Sequence, residues 1–361
     1  MCAETIDSTL LTPWAQVGTG GTMVTTMTKQ RIGVVMGGSS GERDVSLRSG
    51  NAVAEALRSR GHDVVPIVLA DGQDVASTLR LAKIDVAFLA LHGRFGEDGC
   101  VQGLCELYGI PYTGSSVLAS ALAMDKVKAK ELFRLYNVPT PPYYTVSADD
   151  DVTDVEETHG SFGFPVIVKP RAEGSSLGIC KASNMGELAR AIDRALSFDR
   201  VALVERFIVG REITVGILDG RVLGACEIAP KSGMYDYDAK YTAGATEYFV
   251  PARIPATRLR GVLNLAERAA RALGCTSAVR VDLLVTEGEN EYVLEVNTQP
   301  GMTETSLLPK IAAAAGYDFP RLCEAIVDTA RLHNNVPVRR SISQVEIAAQ
   351  PAPKKRAVGG E

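Results

Sequence analysis

Residues 280–303 read RVDLLVTEGENEYVLEVNTQPGMT. Two runs rich in Val and Leu flank a polar turn near Gly288 and Glu289, the pattern of a β-hairpin. With the turn centred there, antiparallel pairing sets Asp282 opposite Glu295 and Arg280 opposite Asn297. Side chains alternate between the two faces of a strand, so all four project from one face. Two carboxylates and an amide oxygen form a hard, oxygen-rich set suited to Mg²⁺ carrying phosphates. The plainer reading is a solvated face with a chance ion pair. The Leu and Val residues of the other face speak against it, because they imply a buried sheet.

The chain has 361 residues, enough for two or three domains with ample core. Charged residues make up 22% and hydrophobic ones 46%, as in ordinary globular proteins. A net charge of −5 gives no reason to expect nucleic acid as a partner. No apolar run is long enough for a membrane span. Residues 1–30 are rich in Thr and Gly and lack a basic start followed by an apolar core, so they do not resemble a secretory signal. A disordered extension is expected there, with Met23 and Met27 as alternative starts. The seven cysteines are scattered, and the closest pair, Cys100 and Cys105, has no CxxC spacing. Reduced, mostly buried thiols of a cytoplasmic protein are expected.

Working outward from the hairpin, the first ordered block opens with an apolar strand, Ile32 to Met36, running into a Gly/Ser turn. A helix carrying Val45, Ala52, Val53, Ala56 and Leu57 at helical spacing follows, then a strand from His62 to Leu69. This is a βαβ unit of an open parallel sheet. A further strand, Val86 to Leu91, ends at HGRFGEDG. Ligands of such sheets lie beyond the carboxyl ends of the strands, so Glu42 and His92 are expected to face one crevice. Leu118 to Tyr136 reads as helix with a break near Asp125. FPVIVKPRAEGSSLGICK reads as strand, Gly/Ser loop, strand. Met185 to Leu196 is an amphipathic helix. VALVERFIVGREITVGILDGRVLGACEI gives two or three antiparallel strands with Asp219-Gly220 as a tight turn. Residues 230–250 are polar and without periodicity, which predicts a functional lid. Helices are expected from Thr257 to Leu273 and from Tyr317 to Leu332. Residues 334–361 turn to Pro, Ala, Lys and Arg and read as a disordered tail.

Lys169 closes an apolar strand just before Gly174-Ser175-Ser176-Leu177-Gly178. Such a loop offers backbone N–H groups to phosphates with a Lys beside it as a point charge. It is not a P-loop, because the Lys precedes the glycines. Paired with the carboxylate hairpin, it points to a nucleoside triphosphate with Mg²⁺. Glu205 and Glu212 each read alone as surface charges. His62, His159 and His333 read as ordinary structural histidines, and Tyr235 and Tyr237 as packing residues of the lid.

From about Arg31 to Leu332 the chain resembles the D-alanine–D-alanine ligases of the ATP-grasp superfamily. The matching segments are GGSSGERDVSLRSG (37–50), LHGRFGEDGCVQG (91–103), PYTGS (111–115), MDK (124–126), VKPRAEGSSLG (168–178), YDYDAKY (235–241) and RVD…LEVNTQPGMT (280–303). The resemblance implies an α/β (α+β) architecture, an ATP-grasp fold preceded by an open parallel-sheet domain. Its ranges would be 31–114 for the N-terminal domain, 115–207 for the central subdomain and 208–333 for the C-terminal one. It implies ligation of two D-alanines with ATP through a D-alanyl phosphate, for peptidoglycan precursors, in a cytoplasmic homodimer without nucleic-acid or membrane partners. Lys126, Lys169 and Lys240 would contact the ATP phosphates, and Glu205 and Glu212 the ribose or base. Asp282, Glu295 and Asn297 would hold two Mg²⁺ (or Mn²⁺). Glu42 and His92 would address the first D-alanine, and Ser306 and Leu307 the carboxylate of the second. Tyr241 would join Glu42 and Ser175 in a hydrogen-bonded triad that closes the lid. Arg280, with the Gly301 N–H, would stabilise the oxyanion of the tetrahedral intermediate.

The chain departs from the usual family pattern at Gln299, where many members carry Ser, and at Phe207, where a larger aromatic is common. Two alternatives stand beside the main reading. One is a ligase using D-lactate or D-serine as second substrate, against which the pair Lys240-Tyr241 argues. The other is a nucleotide-binding regulator without catalysis, against which the filled catalytic positions argue.

Overall fold

The structure is a computed structural model that describes residues 30–334 apart from 71, 175, 232–241, 243 and 289. Among these residues, twelve strands form three sheets and ten helices cover them. The first sheet is parallel, in the order β2–β1–β3, from β1 (Arg31–Gly37), β2 (Asp63–Leu69) and β3 (Val86–Leu89). Alternation along β1 sends Ile32, Val34 and Met36 to one core and Val35 to another. The first core is covered by α1 (Arg43–Ser59), the second by α2 (Val75–Leu81) and α3 (Cys100–Tyr108). Glu42 and His92 follow β1 and β3 at their carboxyl ends, as the βαβ reading requires.

The break at Asp125 has a clear cause. It separates α4 (Val117–Met124) from α5 (Lys126–Leu135). The Asp125 carboxylate accepts from the N–H groups of Val127 and Lys128, which starts α5. Arg171 grips the same carboxylate through Nε and Nη2.

The second sheet is antiparallel, in the order β4–β7–β5–β6, from β4 (Tyr143–Ser147), β5 (Val166–Pro170), β6 (Cys180–Ala182) and β7 (Val201–Arg206). Val166, Val168, Ala202 and Val204 point to α7 (Met185–Leu196), with Val155 of α6 (Val152–His159) at the edge of that core. The opposite face presents Ile167, Lys169 and Glu205, because Ile167 pairs with Glu205 and Lys169 lies two residues further along β5.

The third sheet runs β10–β9–β8–β11–β12, from β8 (Arg211–Leu218), β9 (Arg221–Pro230), β10 (Thr246–Phe249), β11 (Ala278–Val285) and β12 (Glu291–Asn297). One face is apolar: Ile213, Val215, Val279, Val281 and Leu283 pack on α8 (Ala256–Ala272) and on Ala129 and Phe133 of α5. The other face carries Glu212, Thr214, Arg280, Asp282, Glu295 and Asn297. At one end of that face Gly216 lies opposite Gly224, and both come up against Ile311 of α9 (Leu307–Ala314). The last helix, α10 (Phe319–Val327), returns to the first sheet and packs on α1.

Several expectations need correction. The stretch 230–250 is not all lid: β9 extends to Pro230, and Thr246–Phe249 pairs with it as β10, hydrogen-bonded along its length. Most of what lies between is outside the described residues, as are the two termini. The last helix is Phe319–Val327, shorter than Tyr317–Leu332. The VALVER strand joins the second sheet and its successor the third, so the expected run of consecutive strands changes sheet at 207–210. Chain order and core membership also differ. The helices of 117–135 lie within the expected central range, yet Ala123, Ala129 and Phe133 belong to the core of the third sheet. Leu322 and Ile326 lie within the expected C-terminal range, yet belong to the core of the first.

Candidate active site

The hairpin has the expected register: Arg280 pairs with Asn297 and Asp282 with Glu295. Its turn is closed by Thr286, whose N–H and hydroxyl both donate to the Asn290 carbonyl. Arg280 is bidentate to Asp282, with Nε to Oδ1 and Nη2 to Oδ2 both at 2.9 Å. The Thr214 hydroxyl donates to the same Oδ1 at 2.5 Å. The plain ion pair and the functional cluster are therefore the same residues. A shift in register immediately after Asp282 makes Leu294 the extra residue of a bulge. Leu294 and Glu295, neighbours in sequence, consequently border the same cleft, which strict alternation excludes.

Two clefts meet at this face. A cavity of about 380 Å³ opens between the second and third sheets, lined by Ile167, Lys169, Glu205, Phe207, Glu212, Asp282, Leu284, Leu294 and Glu295 among others. A second, of about 140 Å³, opens toward the first sheet and is lined by Glu42, His92, Glu97, Lys126, Arg280, Glu295, Asn297, Gly301, Ser306 and Leu307. Glu295 borders both. Of the residues expected at the site, Ser175, Lys240 and Tyr241 lie outside the described residues. All the others line one of these two clefts.

In the larger cleft, Glu205 is 2% exposed and sits between two ammonium groups. Lys130 Nζ lies 2.6 Å from its Oε1 and Lys169 Nζ 2.5 Å from its Oε2. Burial alone would raise the carboxyl pKa, but the two lysines outweigh it and bring it down to about 2. Burial likewise works to lower the pKa of Lys169, and Glu205 reverses it, holding the amine above its ordinary value. Lys130 is pulled below its ordinary value by burial, against the opposing effect of Glu205. Phe207 packs under Lys181, whose Nζ lies 4.1 Å from the ring centroid.

The smaller cleft joins all three sheets. His92 is buried, its Nε2 3.3 Å from the Ser49 hydroxyl and its Nδ1 3.8 Å from Glu97 Oε1. Glu97 in turn accepts from the Gly93 N–H. An added Cβ on Gly174 would lie 2.5 Å from Glu42 Oε2, and one on Gly93 2.8 Å from it, so the Glu42 carboxylate is held between two close glycines. The Gly/Ser loop thus reaches Glu42 through the residue preceding Ser175. Lys126 donates to the Glu173 carbonyl, and Arg94 pairs with the Glu173 carboxylate at 2.7 Å. Gly301 faces Ser306, whose hydroxyl accepts from the Thr303 N–H. Ser306 is the N-cap residue of α9, so N–H groups of the first turn point toward the cleft, a natural seat for a carboxylate. Below, Gln102 and Gln299 both donate to the Gly96 carbonyl, tying the His92 loop to the end of the hairpin.

Asp282, Glu295 and Asn297 offer only oxygen donors on one rigid face, and this set fits Mg²⁺. Among the described residues no group of three His, Cys, Asp or Glu side chains forms a metal cage. The remaining ligands of such an ion would be phosphate oxygens and water.

Residues 31–79 and 70–115 match the family model described as D-ala D-ala ligase N-terminus, and residues 132–328 match D-ala D-ala ligase C-terminus. A D-alanine–D-alanine ligase of Geobacter sulfurreducens is 53% identical over 303 residues, covering 84% of this chain and 94% of the relative. The chain belongs to the D-alanine–D-alanine ligase family. Solved structures agree. The Bacillus anthracis D-alanine–D-alanine ligase complexed with ATP has a TM-score of 0.73 at 35% identity, covering 83% of this chain and 97% of that one. A D-Ala:D-Ser ligase from Enterococcus faecalis reaches the same TM-score at 30% identity, with 83% and 99% coverage. The fold is therefore the ATP-grasp α/β fold of this family.

Against that family background, three features of the site were not read from the sequence. Glu97 stands within the quoted HGRFGEDG segment, but its approach to His92 depends on loop closure. Lys130 follows Lys126 by one helical turn, and that spacing alone marks it as facing the same way. Leu294 reaches the cleft only because of the bulge, for which the sequence carries no signal.

Proposed function

We propose that this chain joins two D-alanines into D-alanyl-D-alanine, driven by conversion of ATP to ADP and phosphate. The observation that carries the reading is the meeting of two clefts on one sheet face, with Glu295 bordering both and Arg280 beside it. ATP would lie in the larger cleft, its base near Glu205 between Phe207, Leu284 and Leu294, its ribose near Glu212, and its phosphates toward Lys126 and Lys169. The two D-alanines would occupy the smaller cleft.

A carboxylate is a poor acyl donor, so the first D-alanine is activated by taking the γ-phosphoryl group on its carboxylate oxygen. Glu42 would hold its ammonium and His92 would orient it. Asp282, Glu295 and Asn297 would hold two Mg²⁺ (or Mn²⁺), which when bound neutralise charge on the transferring phosphoryl group. Ser306 and the α9 N-terminus would hold the carboxylate of the second D-alanine. Its amine attacks the acyl carbon, the C–N bond forms and phosphate leaves. Arg280 and the Gly301 N–H would stabilise the intervening oxyanion. Arg280 stays protonated and acts only as a donor, and its grip on Asp282 fixes its direction. The segment carrying Lys240 and Tyr241 would close the site against water.

The reading extends to a cytoplasmic homodimer. Among the described residues no helix is long and apolar enough to cross a membrane. The homodimer part of the reading draws on Leu107 of α3 and Leu118 of α4, exposed at 85% and 68%. The test is ADP release and product mass with D-alanine, ATP and Mg²⁺. Dipeptide is expected, and Arg280→Ala should cut turnover by about a hundredfold or more. Dipeptide absent with D-alanine alone, but depsipeptide with D-lactate or mixed dipeptide with D-serine, would overturn the substrate assignment. ATP binding without amino-acid-dependent ADP release would point instead to a non-catalytic regulator.

A further inference from the structure

Lys130 is 1% exposed, among the most buried ionisable groups of the chain. It lies on α5 one turn after Lys126 and points the same way, toward the face of the second sheet that carries Ile167, Lys169 and Glu205. Its ammonium donates to the Thr140 hydroxyl at 2.5 Å and to the Pro141 carbonyl at 3.2 Å, and forms an ion pair with Glu205 Oε1 at 2.6 Å. The Tyr143 ring closes the remaining side at 5.2 Å. Lys130 does not line the nucleotide cleft, whereas Glu205 and Lys169 do. The carboxylate is therefore gripped from behind by one lysine and from the cleft by another.

The two lysines have different duties once a nucleotide is present. Lys169 borders the cleft, so its ammonium is shared with phosphate oxygens. Lys130 has no route to the ligand and remains with Glu205. An ionised carboxylate is acceptor-only, whereas a protonated one also donates. Acceptor-only chemistry fits an exocyclic amine on the base and leaves an exocyclic carbonyl facing a like dipole.

We propose that Lys130 is a positioning residue for nucleotide selectivity, fixing Glu205 as an acceptor that favours a 6-amino purine over a 6-oxo purine. The proposal rests on the reading that Glu205 faces the base. Its charge acts on the base through Glu205, and its other partners, Thr140 and Pro141, lie away from the amino-acid site, so its signature is a change in nucleotide choice with that site left as it was.

The experiment is steady-state ADP or GDP release by the full chain with ATP and with GTP, in wild type, Lys130→Gln, Lys130→Met and Glu205→Gln. Lys130→Gln removes the charge and keeps a polar, hydrogen-bonding side chain one atom shorter, and Lys130→Met removes the charge and keeps the length of the apolar stem. The expected result is a fall of about tenfold or more in the ratio of kcat/KM for ATP to that for GTP in both Lys130 variants. It should arise in KM for the nucleotide, with KM for D-alanine unmoved. If Glu205→Gln collapses the ratio and the Lys130 variants retain it, the role of Lys130 is overturned and the reading of Glu205 stands. If none of the variants changes the ratio, the reading of Glu205 fails as well. If neither Lys130 variant folds, as judged by circular dichroism, Lys130 belongs to the scaffold alone and the proposal is overturned.

Discussion

His92 is 6% exposed, with Ser49 on one ring nitrogen and Glu97 facing the other. Burial lowers an imidazole pKa, but here the Glu97 and Glu42 carboxylates outweigh it and raise it above the usual 6.5. The sign follows from linkage: the interaction stabilises the fold fully below pH 6.5 and is lost as pH rises through the raised value. Glu97→Gln removes the larger of the two carboxylate effects, so His92 should titrate at lower pH than in wild type. An NMR titration of the histidine ring protons, assigned with His92→Gln, measures this, and an unshifted midpoint in Glu97→Gln would contradict it. The place of His92 at a strand end was legible in the sequence, because ligand crevices lie there in open parallel sheets. The partner was not. Glu97 reaches His92 only after the Gly93–Gly96 turn folds back, a geometry that depends on Gln102 and on Gln299, distant in sequence, both holding the Gly96 carbonyl.

At the scale of elements, the hairpin register was legible because one face had to be buried, and a slip by one residue would have exposed Val281 and Leu283. The bulge at Leu294 was not, since an extra residue leaves the apolar pattern of β12 nearly unchanged. Short helices α2, α3, α6 and α9 were also missed. Seven to nine residues give too few turns for a periodic signal, and their stability comes from packing. The α4–α5 break was legible at Asp125 for a reason that can be tested. Its carboxylate caps α5 and binds Arg171 at the edge of the Gly/Ser loop, and Lys126 is the next residue. Asp125→Ala should lower stability by about 1–2 kcal/mol through the lost cap. It should also raise KM for ATP, because Lys126 loses its anchored helix start. Urea unfolding and nucleotide kinetics check the two effects separately. A stability loss with unchanged KM would mean that the cap does not position Lys126.

For the molecule as a whole, the order of the sheets follows the chain, but the cores do not. A sequence pattern reports which residues are buried and leaves open against what. Leu322 and Ile326 were legible as one face of a late helix, and their partners proved to be Val53 and Leu57 of α1 together with Ile32 and Val34 of β1. The C-terminal segment also bridges back to the first sheet where Arg331 pairs with Tyr112, and Thr329 bonds Ser277 from the same stretch. α10 therefore covers one face of the sheet whose strand ends carry Glu42 and His92. Leu322 is 0% exposed, so Leu322→Ala should lower stability by about 2–5 kcal/mol, from lost transfer energy and the cavity left behind. The loss should fall unevenly. Local opening follows the weakened core, so limited proteolysis of the variant should cut first within 31–115, although the substitution lies near the other end of the chain. Residues 143–206, packed on α7 in their own core, should stay protected. Mass spectrometry of the early fragments decides between this and a uniform loss. First cuts within 143–206 would show that the second sheet depends on the first, and that the three cores unfold as one.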